Sequence, residues 1–161
     1  MELKGNIVFL GMMGSGKTSI GLLTSKKLNL RFYDIDQIIE KELKMSISDI
    51  FKKKGEKFFR DLEEKTTLKI LKERESVISL GGGAFINKKI REEILKNHFS
   101  FWLNWNSKTL IQRIQKNTKR PIALRSSISE IISLIKKRLT IYSKSQYKIN
   151  CQQLSKNEIV N

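Results

Sequence analysis

The sequence of 161 residues holds one cysteine, one proline and one histidine, and half as many acidic residues as basic ones, 16 against 32. A lone Cys151 excludes an internal disulfide, and its place in Tyr147-Lys148-Ile149-Asn150-Cys151 reads as a small strand residue rather than a reactive thiol. His98 has no partner cluster and reads as an ordinary helix-end residue, neither ligand nor base. Pro121 ends any helix that reaches it. Uninterrupted apolar runs fall far short of the roughly 20 residues that a bilayer requires. The N-terminus enters a strand at once, without the architecture of a signal peptide. A cytoplasmic protein with no membrane partner is expected. Internal repeats and low-complexity linkers are lacking too, so residues 1–161 read as one domain, and a monomer is expected.

The shortage of carboxylates leaves a formal net charge of +16. Such a charge suits either a nucleic-acid partner or the attraction of small anionic substrates. The lysines are scattered through helical segments, with only Lys52-Lys53-Lys54 forming a run, and no aromatic-rich nucleic-acid motif accompanies them. They read as solvated helix faces, and no nucleic-acid partner is expected.

What the sequence does have is Gly11-Met12-Met13-Gly14-Ser15-Gly16-Lys17-Thr18, which fits the phosphate-loop pattern G-x-x-x-x-G-K-[ST] at each fixed position. The apolar run at 7–10 reads as a buried strand and residues 19–28 as an amphipathic helix, so the loop joins a strand to a helix N-terminus, as the pattern requires. Backbone N–H groups of Gly14, Ser15, Gly16, Lys17, Thr18 and Ser19 are placed to turn on phosphate oxygens there. Lys17 adds a full positive charge, and Thr18 offers a hydroxyl to a Mg²⁺ bridging those oxygens.

Residues 31–35 have the character of a second strand ending in Asp34-Ile35-Asp36, which sets two carboxylates at a strand's C-terminal edge, where open parallel sheets bind ligands. Ser46, with Asp49 three residues on, caps a short helix through Phe51 that Gly55 closes. From 56 to about 74, Phe59, Leu62, Thr66 and Ile70 form a helical stripe, with Arg60 and Glu63 lying beside it and able to pair at i,i+3. A third strand at 76–80 runs into Gly81-Gly82-Gly83, where backbone can approach a ligand closely. Asn87 caps a helix to about Asn97, and residues 99–104 read as a buried fourth strand, with Trp102 and Trp105 as packing residues. A helix carrying Leu110, Ile111 and Ile114 leads into a polar segment, so a mobile lid is expected over about 116–127. Ser127 with Glu130 forms a capping box. The helix that follows carries a stripe of Ile128, Ile131, Ile132, Ile135, Leu139 and Tyr142, with Arg138 flanking it. A fifth strand at 147–151 and a helix at 155–159 complete the chain.

Strands alternating with helices predict a three-layer α/β/α sandwich around a parallel sheet. Phosphoryl transfer requires the phosphates and Mg²⁺ held, an acceptor hydroxyl aligned and the migrating charge neutralised. Asp34 is a candidate for the metal and Asp36 for the acceptor hydroxyl, while a capped helix start is the bland reading of the pair. Arg60 and Arg138 are candidates to clamp an anionic acceptor, each with a surface salt bridge as its alternative.

Taken together, the phosphate loop, Asp34-Ile35-Asp36, Gly55-Glu56-Lys57-Phe58-Phe59-Arg60 with Glu63, Ser79-Leu80-Gly81-Gly82-Gly83, Arg120-Pro121 and Lys137-Arg138 resemble the shikimate kinases over essentially the whole chain. The resemblance implies a P-loop fold of the nucleoside-monophosphate-kinase type, with five parallel strands in the order 2-3-1-4-5. It also implies transfer of the ATP γ-phosphoryl group to the 3-hydroxyl of shikimate, on the route to chorismate and the aromatic amino acids. By the same resemblance, Lys17 and the loop amides hold phosphates and Thr18 and Asp34 hold Mg²⁺. Asp36, Arg60, Arg138 and the triad of Gly81, Gly82 and Gly83 hold shikimate, and a substrate-binding region is expected at about 34–62. Glu63 holds Arg60, Arg120 is the lid arginine that reaches the phosphates, and Arg113 lies along adenine. The chain departs from the family at Ile122 and Ala123, where leucines are usual, and at Gln152 and Gln153, where the adenine loop often carries a proline. Two other readings remain at this stage, a P-loop kinase acting on gluconate or a nucleotide, and a P-loop module that binds nucleic acid.

Overall fold

The computed structural model describes residues 4–116 and 126–161. Five parallel strands form one sheet: β1 (Ile7–Leu10), β2 (Arg31–Asp34), β3 (Ser76–Ser79), β4 (Phe99–Asn104) and β5 (Tyr147–Asn150), in the order β2-β3-β1-β4-β5. This is the expected order. β1 is continuously apolar because both of its faces are covered. Ile7 and Phe9 pack into one apolar cluster with Ile20, Ile159 and Val160, while Val8 and Leu10 enter the larger cluster on the opposite face. The first layer is therefore built by α1 (Lys17–Leu28) and α7 (Lys156–Val160). The second is built by α2 (Ile35–Leu43), α3 (Ile47–Leu71), α4 (Lys88–Asn97), α5 (Ser107–Lys116) and α6 (Ile128–Tyr142).

Side chains cap six of these helices. Asp34 accepts from the Gln37 N–H at α2, Ser46 from Asp49 at α3, Asn87 from Ile90 at α4 and Asn106 from Thr109 at α5. Ser127 and Ser155 open α6 and α7 with full capping boxes. Each such cap contributes about 1 kcal/mol. Gly55 breaks the helical geometry inside α3, with φ 86° and ψ 166°, so the segment before it is a short helix of its own, as Gly55 suggested.

Three expectations need correction. The buried side of α3 runs through Phe59, Glu63, Thr66, Thr67 and Leu71, so Glu63 lies inside the stripe and Leu62 at its margin. The buried side of α6 runs through Ile131, Ile135, Arg138 and Tyr142, with Ile128 left 51% exposed, so Arg138 is part of the stripe rather than its flank. Both corrections share a cause. The two charged residues face a cleft at the sheet edge, and periodicity read from apolar residues alone skips them. Cys151, in turn, lies one residue beyond β5, where its N–H donates to the Asn104 carbonyl at 2.9 Å.

His98 ends α4, and its Nδ1 accepts from the Asn6 N–H at 3.1 Å. The Asn6 side chain ties Leu71 to Ser76. Trp102 is buried in the core, as expected. No described helix is long and apolar enough to cross a membrane.

Burial pushes the Cys151 thiol up to about 11, and the side chain is fully enclosed. At pH 8 about one thiol in a thousand is then a thiolate. Native protein should react with a disulfide reagent such as DTNB at least about a hundredfold more slowly than protein unfolded in urea, measured as the rate of chromophore release.

Candidate active site

The loop from Gly11 to Gly16 leaves β1 at the carboxyl edge of the sheet, and α1 begins immediately after it. In contrast to the six capped helices, α1 has no side-chain cap and no acidic residue in its first turn. Its N-cap is Gly16, held at φ 89°, a conformation that glycine adopts without penalty and that a Cβ would strain. An uncapped first turn keeps its N–H groups and the positive end of the helix dipole available to an anion. Lys17 is buried to 5% exposure, and its Nζ donates to the carbonyls of Gly11 and Met12, both at 2.9 Å.

The strand register sets the next groups. Asp34 on β2 pairs with Ser79 on β3, which pairs with Phe9 on β1, so the chain leaves all three strands at one level. The Thr18 hydroxyl donates to Asp34 Oδ2 at 2.5 Å, while Asp34 Oδ1 caps α2 through the Gln37 N–H at 3.1 Å. Asp34 therefore caps a helix, as its bland reading held, and the same carboxylate also faces the phosphate loop. Two hard oxygen ligands side by side at a phosphate cradle suit Mg²⁺, which takes few protein ligands and completes its shell with phosphates and water. A cavity of about 160 Å³ opens here, lined by the loop and the start of α1 including Ser19, by Asp34 and Asp36, and by Ser79 and Leu80. Ligand pockets commonly run to about 300–1,000 Å³, so this one fits the reacting groups and not a whole nucleotide.

The triple glycine follows directly on Ser79 and Leu80 of that lining. A Cβ at Gly81 would stand 2.5 Å from Glu63 Oε1 and 2.8 Å from Asp36 Oδ1, a Cβ at Gly82 would stand 3.4 Å from Arg138 Nη1, and a Cβ at Gly83 would stand 2.6 Å from Arg60 Nη1. Two carboxylates and two guanidinium groups thus crowd three consecutive backbone positions. Arg60 Nη1 donates to Glu63 Oε2 at 2.7 Å, with Glu56 a looser partner at 3.5 Å. Burial drives the Glu63 carboxyl above its usual range, and the Arg60 guanidinium opposes that shift. Arg138 is 5% exposed; its guanidinium donates to the Met12 sulfur at 3.6 Å and also interacts with the Tyr142 hydroxyl and the Glu63 carboxylate. The Tyr142 hydroxyl donates to the Gly82 carbonyl and touches the same sulfur at 3.8 Å, and burial pushes its phenol up to about 12.

The structure therefore brings Lys17, Thr18, Asp34, Asp36, Arg60, Arg138 and the glycines to one edge of the sheet. Arg113 stands apart, at the outer side of the loop, where it donates to the Gly14 carbonyl at 3.2 Å and lies over the Trp105 ring at 3.8 Å. Gln152 docks on the start of α5 through Asn106 and Thr109. Arg120, Pro121, Ile122 and Ala123, and most of the expected lid at 116–127, lie outside the described residues. Met12, Tyr142 and Trp105 contribute contacts that the sequence did not single out. Met12 fills a free position of the loop pattern, and Tyr142 and Trp105 carry no signal beyond that of packing aromatics.

Comparison with known proteins bears on what this arrangement does. A family model described as shikimate kinase matches residues 13–161. The chain is 38% identical over 156 residues to a shikimate kinase of Persephonella marina, covering 97% of this chain and 94% of that protein. It is 42% identical over 162 residues to one of Bacillus subtilis, covering 96% and 84%. Among solved structures, a shikimate kinase from Acinetobacter baumannii in complex with shikimate superposes with a TM-score of 0.92 at 28% identity, covering 99% of this chain and 90% of that one. A gluconokinase from Sinorhizobium meliloti, at 19% identity and a TM-score of 0.57, shares the fold.

The Gly81 contacts generate a test. Neither Glu63 Oε1, which is buried with no hydrogen-bond donor among the described residues, nor Asp36 Oδ1 lies at the end of a long flexible side chain. Gly81→Ala should lower stability by about 1–3 kcal/mol, read by denaturant titration. It should also reduce kcat/KM for the acceptor by at least about tenfold while KM for the nucleotide stays within about twofold.

Proposed function

The chain belongs to the shikimate kinase family and is thus an ATP-dependent kinase of shikimate, and we propose how its own residues divide that work. The loop amides of Gly14, Ser15, Gly16, Lys17, Thr18 and Ser19 bind the phosphates, and the Lys17 ammonium balances charge that gathers on the transferring group. Thr18 and Asp34 hold Mg²⁺, which when bound neutralises phosphate charge. Asp36 accepts a hydrogen bond from the 3-hydroxyl of shikimate, holds it in line with the γ-phosphorus and takes its proton as the bond to phosphorus forms. Arg60 and Arg138 receive the shikimate carboxylate against the backbone of Gly81, Gly82 and Gly83, with Glu63 orienting Arg60. Arg113 lies along adenine, and Arg120, within a lid over about 116–127, reaches the phosphates. The products are shikimate 3-phosphate and ADP, on the route to chorismate and the aromatic amino acids.

The observation that carries the acceptor assignment is Arg138. A guanidinium buried to 5% exposure, with a thioether at 3.6 Å and the charge of Glu63 shared with Arg60, is well suited to a further anion, because a buried cation gains from strong acceptors around it. A carboxylate supplies charge and acceptors together through bidentate hydrogen bonds. Arg60, one backbone position along the glycine triad, supplies a second fork. The carboxylate of gluconate or the phosphate of a nucleotide would also suit two arginines, and it is the family match that favours shikimate over them.

Two predictions follow from these roles. Arg138→Met, which keeps the volume and removes the buried charge, should match or exceed wild type in thermal stability. It should weaken shikimate binding by roughly ten- to a hundredfold and leave ATP binding nearly unchanged, measured by calorimetric titration. An analogue with an alcohol in place of the carboxylate should bind wild type poorly and lose little more in the variant. Equal loss of shikimate and of the analogue would assign Arg138 to the fold instead. Asp36→Asn should lower kcat by at least about a hundredfold with nucleotide affinity intact, and a collapse of nucleotide affinity would overturn its role.

A further inference from the structure

Trp105 was expected to be a packing residue, and it does touch both apolar clusters. Its polar end does something else. The indole Nε1–H donates to the Ser15 carbonyl at 2.9 Å, and its ring lies 3.8 Å beneath the Arg113 guanidinium, which in turn donates to the Gly14 carbonyl at 3.2 Å. Two successive loop carbonyls are therefore held from outside the loop by one stacked pair. In a trans peptide the carbonyl and the following N–H point in opposite directions. Pulling the Gly14 carbonyl outward turns the Ser15 N–H inward, where it donates to the Met12 carbonyl at 3.1 Å and closes the loop's inner turn. Pulling the Ser15 carbonyl outward turns the Gly16 N–H to the opposite side of its peptide, and Gly16 lines the cavity.

We propose that Trp105 is a positioning residue for the nucleotide, acting at two points. Its indole N–H presets the Gly16 N–H toward the phosphates, and its ring forms the base of a three-layer stack of indole, guanidinium and adenine. The second point rests on the reading that Arg113 lies along adenine. A guanidinium held on the indole face and by the Gly14 carbonyl is ordered before the base arrives, so stacking costs little further side-chain freedom.

The test compares ATP with inorganic tripolyphosphate, a triphosphate without a base, each with Mg²⁺ and measured by calorimetric titration on wild type, Trp105→Phe, Trp105→Leu and Arg113→Ala. Phenylalanine keeps a ring and removes the N–H, whereas leucine removes both. Trp105→Phe should weaken both ligands by a similar factor of about three to ten. Trp105→Leu should weaken ATP by a further factor of about three to ten with no further loss of tripolyphosphate, and shikimate affinity should stay within about twofold throughout. Tripolyphosphate binding by Trp105→Phe equal to wild type would overturn the proposal, as would parallel loss of all three ligands. A Trp105→Leu loss no larger for ATP than for tripolyphosphate would remove the stack. If Arg113→Ala still weakened ATP selectively in that case, the reading of Arg113 would survive and the role of the indole alone would fail. Should neither tryptophan variant fold, hydrogen exchange of the Trp105 indole N–H in unaltered protein decides. Tripolyphosphate should slow it, and no change would overturn the proposal.

Discussion

One helix start that no described side chain caps is the constraint around which the rest of this structure is arranged. Six helices finish their first turn with a side-chain oxygen, and α1 finishes its own with the left-handed Gly16 and no side chain. Free N–H groups at a helix start are tolerable where water or an anion can reach them, which obliges the surroundings to stay open and polar. β1 supplies the rigid support by being buried on both faces at the centre of the sheet. The register of β2 and β3 then brings Asp34, Ser79 and the glycine triad to the same level, so the acceptor side of the cavity is set by the same hydrogen-bond ladder that holds the loop.

Much of this was legible because local chemistry and function coincide. The loop motif, the Ser46, Asn87 and Ser127 caps and the break at Gly55 each have a short-range physical cause, and each lies where its residues indicated. The misplaced stripes on α3 and α6 have the opposite origin. Glu63 and Arg138 are charged, and charge reads as solvent exposure until partners distant in sequence, at the glycine triad, give it something to face. Trp105 was harder still. Its packing role was readable from β4, whereas its hydrogen bond to Ser15 spans 90 residues and leaves no periodic trace. The sheet order came from resemblance, since strand alternation fixes parallel pairing without fixing which strand lies in the middle.

The charge of the chain is also clearer beside the site. Most of the 32 basic residues stand on solvated helix faces, where Lys52, Lys53, Lys54 and Lys88 are exposed. The two arginines at the glycine triad differ from these in their surroundings rather than in their type. Arg60 has the Glu63 carboxylate at 2.7 Å, and Arg138 meets the Met12 sulfur and the charge of that same carboxylate, so the two guanidinium groups share it. An excess of +16 raises the local concentration of anions in general, whereas the selection of one anion is the role proposed for those two guanidinium groups.

Met12 joins the two halves of the site. Its carbonyl receives the Lys17 ammonium, and its sulfur carries both the Arg138 guanidinium and the Tyr142 hydroxyl. On the proposed roles, a triphosphate entering the loop competes with that carbonyl for Lys17, and an acceptor carboxylate competes with that sulfur for Arg138. The two ligands thus act on opposite ends of one residue, and thermodynamic linkage makes their influence mutual. By whatever factor the first changes the affinity for the second, the second changes the affinity for the first.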